Sequence, residues 1–135
     1  MTYPLTQIDG LTAAAASKLK AAGIRTTEKL LDAAATAKGR KALSEKTGIP
    51  AQQLLDWANA AHAMLIPGVG KANIGLLRAA GVSTVRELGF RNPERLAAAM
   101  AEANKTRKLV RGQPTAESVG KIIERARKLP PKISY

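Results

Sequence analysis

The sequence predicts an all-α fold, and three observations carry that prediction. No segment sustains the alternation of apolar and polar residues that marks a strand. Apolar residues recur instead at spacings of three and four, between threonine or asparagine starts and glycine stops. The chain is rich in alanine and holds 1 Phe and 1 Trp, which favours close approach of helices over a bulky aromatic core.

Residues 3–7 are too short for a full helix and contain Pro4. Residues 12–22 carry Leu19 among alanines, and Thr26 or Thr27 starts a short helix through Lys29, Leu30, Leu31 and Ala34. A third helix spans about 38–46; Gly48 stops it before Pro50, which suits the first turn of the next. That next helix runs to about Met64, with Leu54, Leu55, Ala58, Ala61 and Leu65 on one stripe and Trp57 covering its edge. Helices over 71–80 and 84–88 follow. Asn92 then offers an N-cap, with Pro93 at the first helical position and Glu94 in the first turn, for a helix over 93–103 whose apolar face is Leu96, Ala97, Met100 and Ala103. Residues 105–111 form a basic connector ending at Gly112 and Pro114. The last helix begins near Thr115. It sets Val119, Ile122, Ile123, Ala126 and Leu129 on one face and Lys121, Arg125 and Lys128 on another, and Pro130 and Pro131 end it.

The pentapeptide Ile66-Pro67-Gly68-Val69-Gly70, followed by Lys71, is the motif with the clearest chemistry. Its glycines let the backbone turn sharply and come close to a ligand. The helix that opens at about Lys71 then directs its unpaired N–H groups and the positive end of its dipole at whatever lies over the loop. An anion fits there, with Lys71 as a mobile cation and Asn73 as a neutral donor to a phosphate or sugar oxygen. An internal repeat provides context. Ile8 aligns with Ile66, Gly10 with Gly68, Leu19 with Leu77, Gly23 with Gly81, Ile24 with Val82, Thr26 with Thr84 and Leu30 with Leu88.

At these residues the chain resembles the helix-hairpin-helix family, whose hairpin reads apolar, any, glycine, apolar, glycine. The resemblance implies a compact SAM-like bundle of two helix-hairpin-helix units joined by linker helices. It also implies a hairpin whose backbone amides bind a nucleic-acid phosphate without sequence preference, a role that falls on Gly68, Val69, Gly70 and Lys71. Along its whole length the chain further resembles an uncharacterised bacterial family with this tandem arrangement, from which no activity carries over. The first hairpin departs from the pattern. It reads Ile8-Asp9-Gly10-Leu11-Thr12, with Thr12 in place of the second glycine, Ala13 in place of the lysine, and Asp9 as a negative charge beside the phosphate position. Gly10 and Thr12 are therefore weaker binding candidates, and the copy is expected to be mainly structural. The domains expected are 1–64, the degenerate unit with linker helices, and 65–135, the second unit with basic C-terminal helices, packed as one compact structure.

Charge is uneven. The chain carries 22 Lys+Arg against 10 Asp+Glu, a formal +12. Residues 65–135 hold 14 of the bases and 5 of the acids, a field that attracts polyanions. Lys105, Arg107, Lys108 and Arg111 add a cluster that can meet phosphates flanking the hairpin, although most charge runs are solvated surface.

The sequence points away from several other classes. There is no cysteine, which removes disulfides and thiolate metal sites. No apolar run approaches the ~20 residues of a membrane span, no signal peptide is recognisable, and the cytoplasm is the expected compartment. The 1 His, His62, has no sequence-near carboxylate cluster, and the acids are scattered, so no catalytic residue, metal site or cofactor is expected. Two readings of function follow. One is a non-enzymatic module binding nucleic acid, duplex DNA ahead of RNA. The other is a protein-interaction scaffold that kept the fold, lost DNA contact and takes an acidic protein partner.

Overall fold

Six helices start where a threonine or asparagine side chain accepts the amide three residues on, at Thr12, Thr26, Thr36, Thr84, Asn92 and Thr115. Each cap satisfies one donor that the first turn cannot pair internally. The chain is described by a computed structural model, which covers residues 3–8, 10–67, 69, 71–108 and 114–135. Among these residues it holds a 3-10 turn, Leu5–Gln7, and α-helices α1 (Ala13–Ala21), α2 (Thr27–Ala33), α3 (Ala37–Thr47), α4 (Ala51–Ala63), α5 (Lys71–Ala79), α6 (Val85–Gly89), α7 (Pro93–Arg107) and α8 (Ala116–Lys128). Extended pairing among them is confined to one isolated antiparallel bridge, Pro4 with Thr26. The fold is all-α.

The chain divides into two compact units, Met1–His62 with Lys132–Tyr135, and Ala63–Pro131. The first unit closes around Leu5, Ile8, Leu19, Leu30 and Leu54, each at most 1% exposed. Its returning tail is held by polar bonds. Arg40, itself buried, donates to the Ala34 carbonyl at 2.9 Å and the Ser134 carbonyl at 2.7 Å, while the Ser134 amide donates to Ala35 at 2.7 Å. The Tyr135 hydroxyl donates to Asn59 Oδ1 at 3.3 Å. In the second unit α8 packs on α6 and α7, and α5 on α7. Leu76, Leu88, Leu96, Met100 and Val119 are its most buried large side chains outside the 66–69 turn.

Positions 58 residues apart make the same backbone bonds in the two units. The Ile8 amide donates to Leu5 and the Ile66 amide to Ala63, both at 3.0 Å; Leu11 donates to Ile8 and Val69 to Ile66, both at 3.2 Å. Ile24 donates to Leu19 and Val82 to Leu77, both at 2.9 Å, closing α1 and α5 around Gly23 (φ 90°) and Gly81 (φ 94°). Those left-handed angles are what glycine adopts without a steric penalty.

Two expectations need correction. The helix expected over 93–103 continues through Arg107, because residues 104–107 carry no helix breaker and cations are favoured in the last turn of a helix. It ends at Lys108, whose φ of 49° is left-handed. Lys105 and Arg107 are thus helical, not part of a connector. Trp57 does not lie at the edge of an apolar stripe either. It is 3% exposed, and the polar Asn59 and His62 of the same helix are buried with it. α4 is enclosed on more sides than a one-face stripe allows.

Candidate nucleic-acid interface

The connection between α4 and α5 is anchored by its apolar positions. Ile66 and Val69 are 1% and 3% exposed, so both side chains enter the core, and the Val69 amide closes a turn onto the Ile66 carbonyl. Pro67 between them is exposed. Gly68 and Gly70 lie outside the described residues. Lys71 opens α5 as an exposed side chain, Asn73 is half-buried in the first turn, and that turn contains no acid. Ile74 and Leu77 of the same helix are buried. A helix start presents amide donors and partial positive charge, and Lys71 adds a full charge to it.

Arg125 joins this connection through the tertiary fold. Its Nη1 donates to the Pro67 carbonyl at 2.7 Å, across 58 residues of sequence. The bond uses one of the five guanidinium N–H donors and fixes the planar group beside the turn. Helical spacing in the sequence assigns Arg125 only to a polar face shared with Lys121 and Lys128. No local signal reports that it meets residue 67.

The other candidate cations have local partners or surface positions. Lys105 pairs with Glu102 at 3.1 Å on its own helix, both exposed, an arrangement of little energetic consequence. Lys108 is exposed at the end of α7, and Arg111 lies outside the described residues. Lys121 approaches Glu117 at 3.8 Å.

The first connection differs at its helix start. Gly10 has φ 85° and is exposed; Asp9 lies outside the described residues. The Thr12 hydroxyl accepts the Ala15 amide at 3.2 Å, so the helix start at α1 is already capped by its own chain. A glycine at the equivalent place, residue 70, has no side chain with which to do this.

Among the described residues, no group of three or more His, Cys, Asp and Glu is arranged to hold a metal ion. No helix among them is long and apolar enough to cross a membrane. A family model described as "Domain of unknown function (DUF4332)" matches residues 9–129. No curated protein and no solved structure matches the chain.

Proposed function

We propose that this chain, which belongs to the DUF4332 family, is a non-enzymatic module that binds nucleic acid without sequence preference, double-stranded DNA ahead of RNA. In this reading the two units are helix-hairpin-helix copies. The second grips backbone phosphate through the amides of Gly68 and Gly70, with Lys71 and Asn73 beside them, while the Val69 amide closes the turn onto Ile66. The observation that carries it is the bond from Arg125 to the Pro67 carbonyl, which sets a second cation at the turn that Lys71 leaves. The equal turn bonds 58 residues apart support the reading of two related copies. Backbone amides and cations directed at phosphate position a protein on a duplex and carry no sequence information.

The test is fluorescence anisotropy of a labelled random-sequence duplex at several salt concentrations, with Gly70→Asp in parallel. Log affinity is expected to fall linearly with log salt, by about 0.9 per phosphate neutralised. Gly70→Asp is expected to abolish binding more completely than removal of any one surface lysine. It obstructs the phosphate and adds a like charge. Equal weakening by every Lys→Ala change, with none from Gly70→Asp, would mean a diffuse basic patch.

A second reading, a scaffold for an acidic protein partner, draws on the first connection, where Thr12 already occupies the helix start. It requires that the duplex fail to bind even at low salt.

A further inference from the structure

We infer that the corner between α6 and α7 is a stacking site for an unpaired nucleobase, formed by Phe90 with the guanidinium group of Arg127 beside it and that of Arg91 held at Gly81, ahead of α6. This site is separate from the Pro67 connection. It shares with the proposed function only the class of ligand.

Phe90 is 80% exposed, while its neighbours Val85 and Leu88 close the core without it. The ring projects from a defined backbone. Phe90 is the C-cap of α6, with φ −99° and ψ 0°, and its amide donates to the Glu87 carbonyl at 3.1 Å. Two arginines are tied down by carbonyls of this segment, one just before Phe90 and one ahead of α6. Arg127 Nε donates to the Gly89 carbonyl at 2.7 Å, and Arg91 Nη2 donates to the Gly81 carbonyl at 3.1 Å. Gly89 makes room for the first of these: a Cβ there would stand 3.2 Å from Arg127 Cγ. The acid of α6, Glu87, directs its carboxylate to the Ser83 amide at 3.3 Å, at the opposite end of the helix.

An exposed aromatic ring with one guanidinium on the adjoining carbonyl and a second at Gly81 matches a nucleotide part by part. The base stacks on the ring, and the flanking phosphates pair with N–H donors that the carbonyl bonds leave over. An acidic peptide would use the cations and leave the ring without a partner. A lipid surface asks for several bulky apolar side chains, and here there is one. Bases within a duplex already stack on each other, so the ligand is a single strand or an unpaired nucleotide at a gap or end.

The experiment compares the wild type with Phe90→Ala, Phe90→Leu, Phe90→Trp and Gly70→Asp, titrated into labelled oligothymidylate and, separately, blunt duplex. Phe90→Ala and Phe90→Leu are expected to weaken oligothymidylate binding by about fivefold to a hundredfold, with duplex binding and thermal unfolding unchanged. Phe90→Trp is expected to retain affinity and to show red-edge indole emission that oligothymidylate quenches, distinct from the emission of buried Trp57. Gly70→Asp is expected to reduce duplex binding and leave the oligothymidylate affinity in place, so each site fails or stands by itself. Wild-type oligothymidylate affinity in Phe90→Ala, or the absence of quenching in Phe90→Trp, would overturn the stacking site. So would equal quenching of Phe90→Trp by polyglutamate or by phosphatidylserine vesicles.

Discussion

Arg125 and Thr12 show how a single side chain changes what a helix start can do. Arg125 brings its charge to the Pro67 carbonyl, whereas Thr12 uses its hydroxyl on its own helix. Arg125→Ala is expected to weaken duplex binding by roughly tenfold, the order of one hydrogen bond to a charged group, with circular dichroism unchanged. Arg125→Lys is expected to recover only part, because an ammonium cannot hold the carbonyl and a phosphate in one plane. Thr12→Ala is expected to behave in the opposite way. It removes a cap and costs about 1 kcal/mol of stability, read by urea denaturation, with duplex affinity as in the wild type. A Thr12→Ala protein that lost duplex binding while keeping its stability would move the first connection into the binding surface.

At the scale of the element, the glycines of α3 and α8 lead to opposite expectations. Gly120 lies inside α8, and a Cβ there would meet Pro93 at 3.7 Å and 3.8 Å, ordinary packing distances. Gly120→Ala is therefore expected to stabilise by about 0.5–1 kcal/mol through helix propensity, seen as a higher unfolding midpoint. Gly39 stands in the first turn of α3, where its amide reaches the Thr36 hydroxyl at 3.0 Å, and a Cβ would collide with the Ala33 carbonyl. Gly39→Ala is expected to cost about 1–3 kcal/mol, as overpacked sites do. A stable Gly39→Ala protein would show that the turn between α2 and α3 yields easily. The same reasoning bears on α7, which runs past its expected end because nothing in residues 104–107 opposes helix.

For the whole molecule, the informative feature is that the chain leaves its first unit after His62 and rejoins it at Lys132. Arg40 is 5% exposed and donates to carbonyls only, in Ala34 and Ser134. Deleting residues 132–135 removes one of those acceptors from a buried charge, and the expected loss is about 1.5–3 kcal/mol. Amide exchange should speed up in α3 and α4 and stay slow in α7 and α8. Uniform acceleration across all helices would mean that the units unfold as one.

Much of this was legible from local chemistry. The caps at Thr26, Asn92 and Thr115, the stops at Gly23, Gly48 and Gly81, and the apolar spacing of α8 each depend on residues within a few positions, so the sequence by itself determined the all-α class and nearly every helix. Other features depend on groups far apart in the chain. The enclosure of Trp57, Asn59 and His62 on several sides of α4, the tail bound by Arg40, and the meeting of Arg125 with Pro67 are such cases. So is the exposure of Phe90, which its apolar character alone argues against. Burial and long-range hydrogen bonds depend on which helices become neighbours. Helical periodicity specifies a face but not the partner that covers it, and only the tertiary structure decides that.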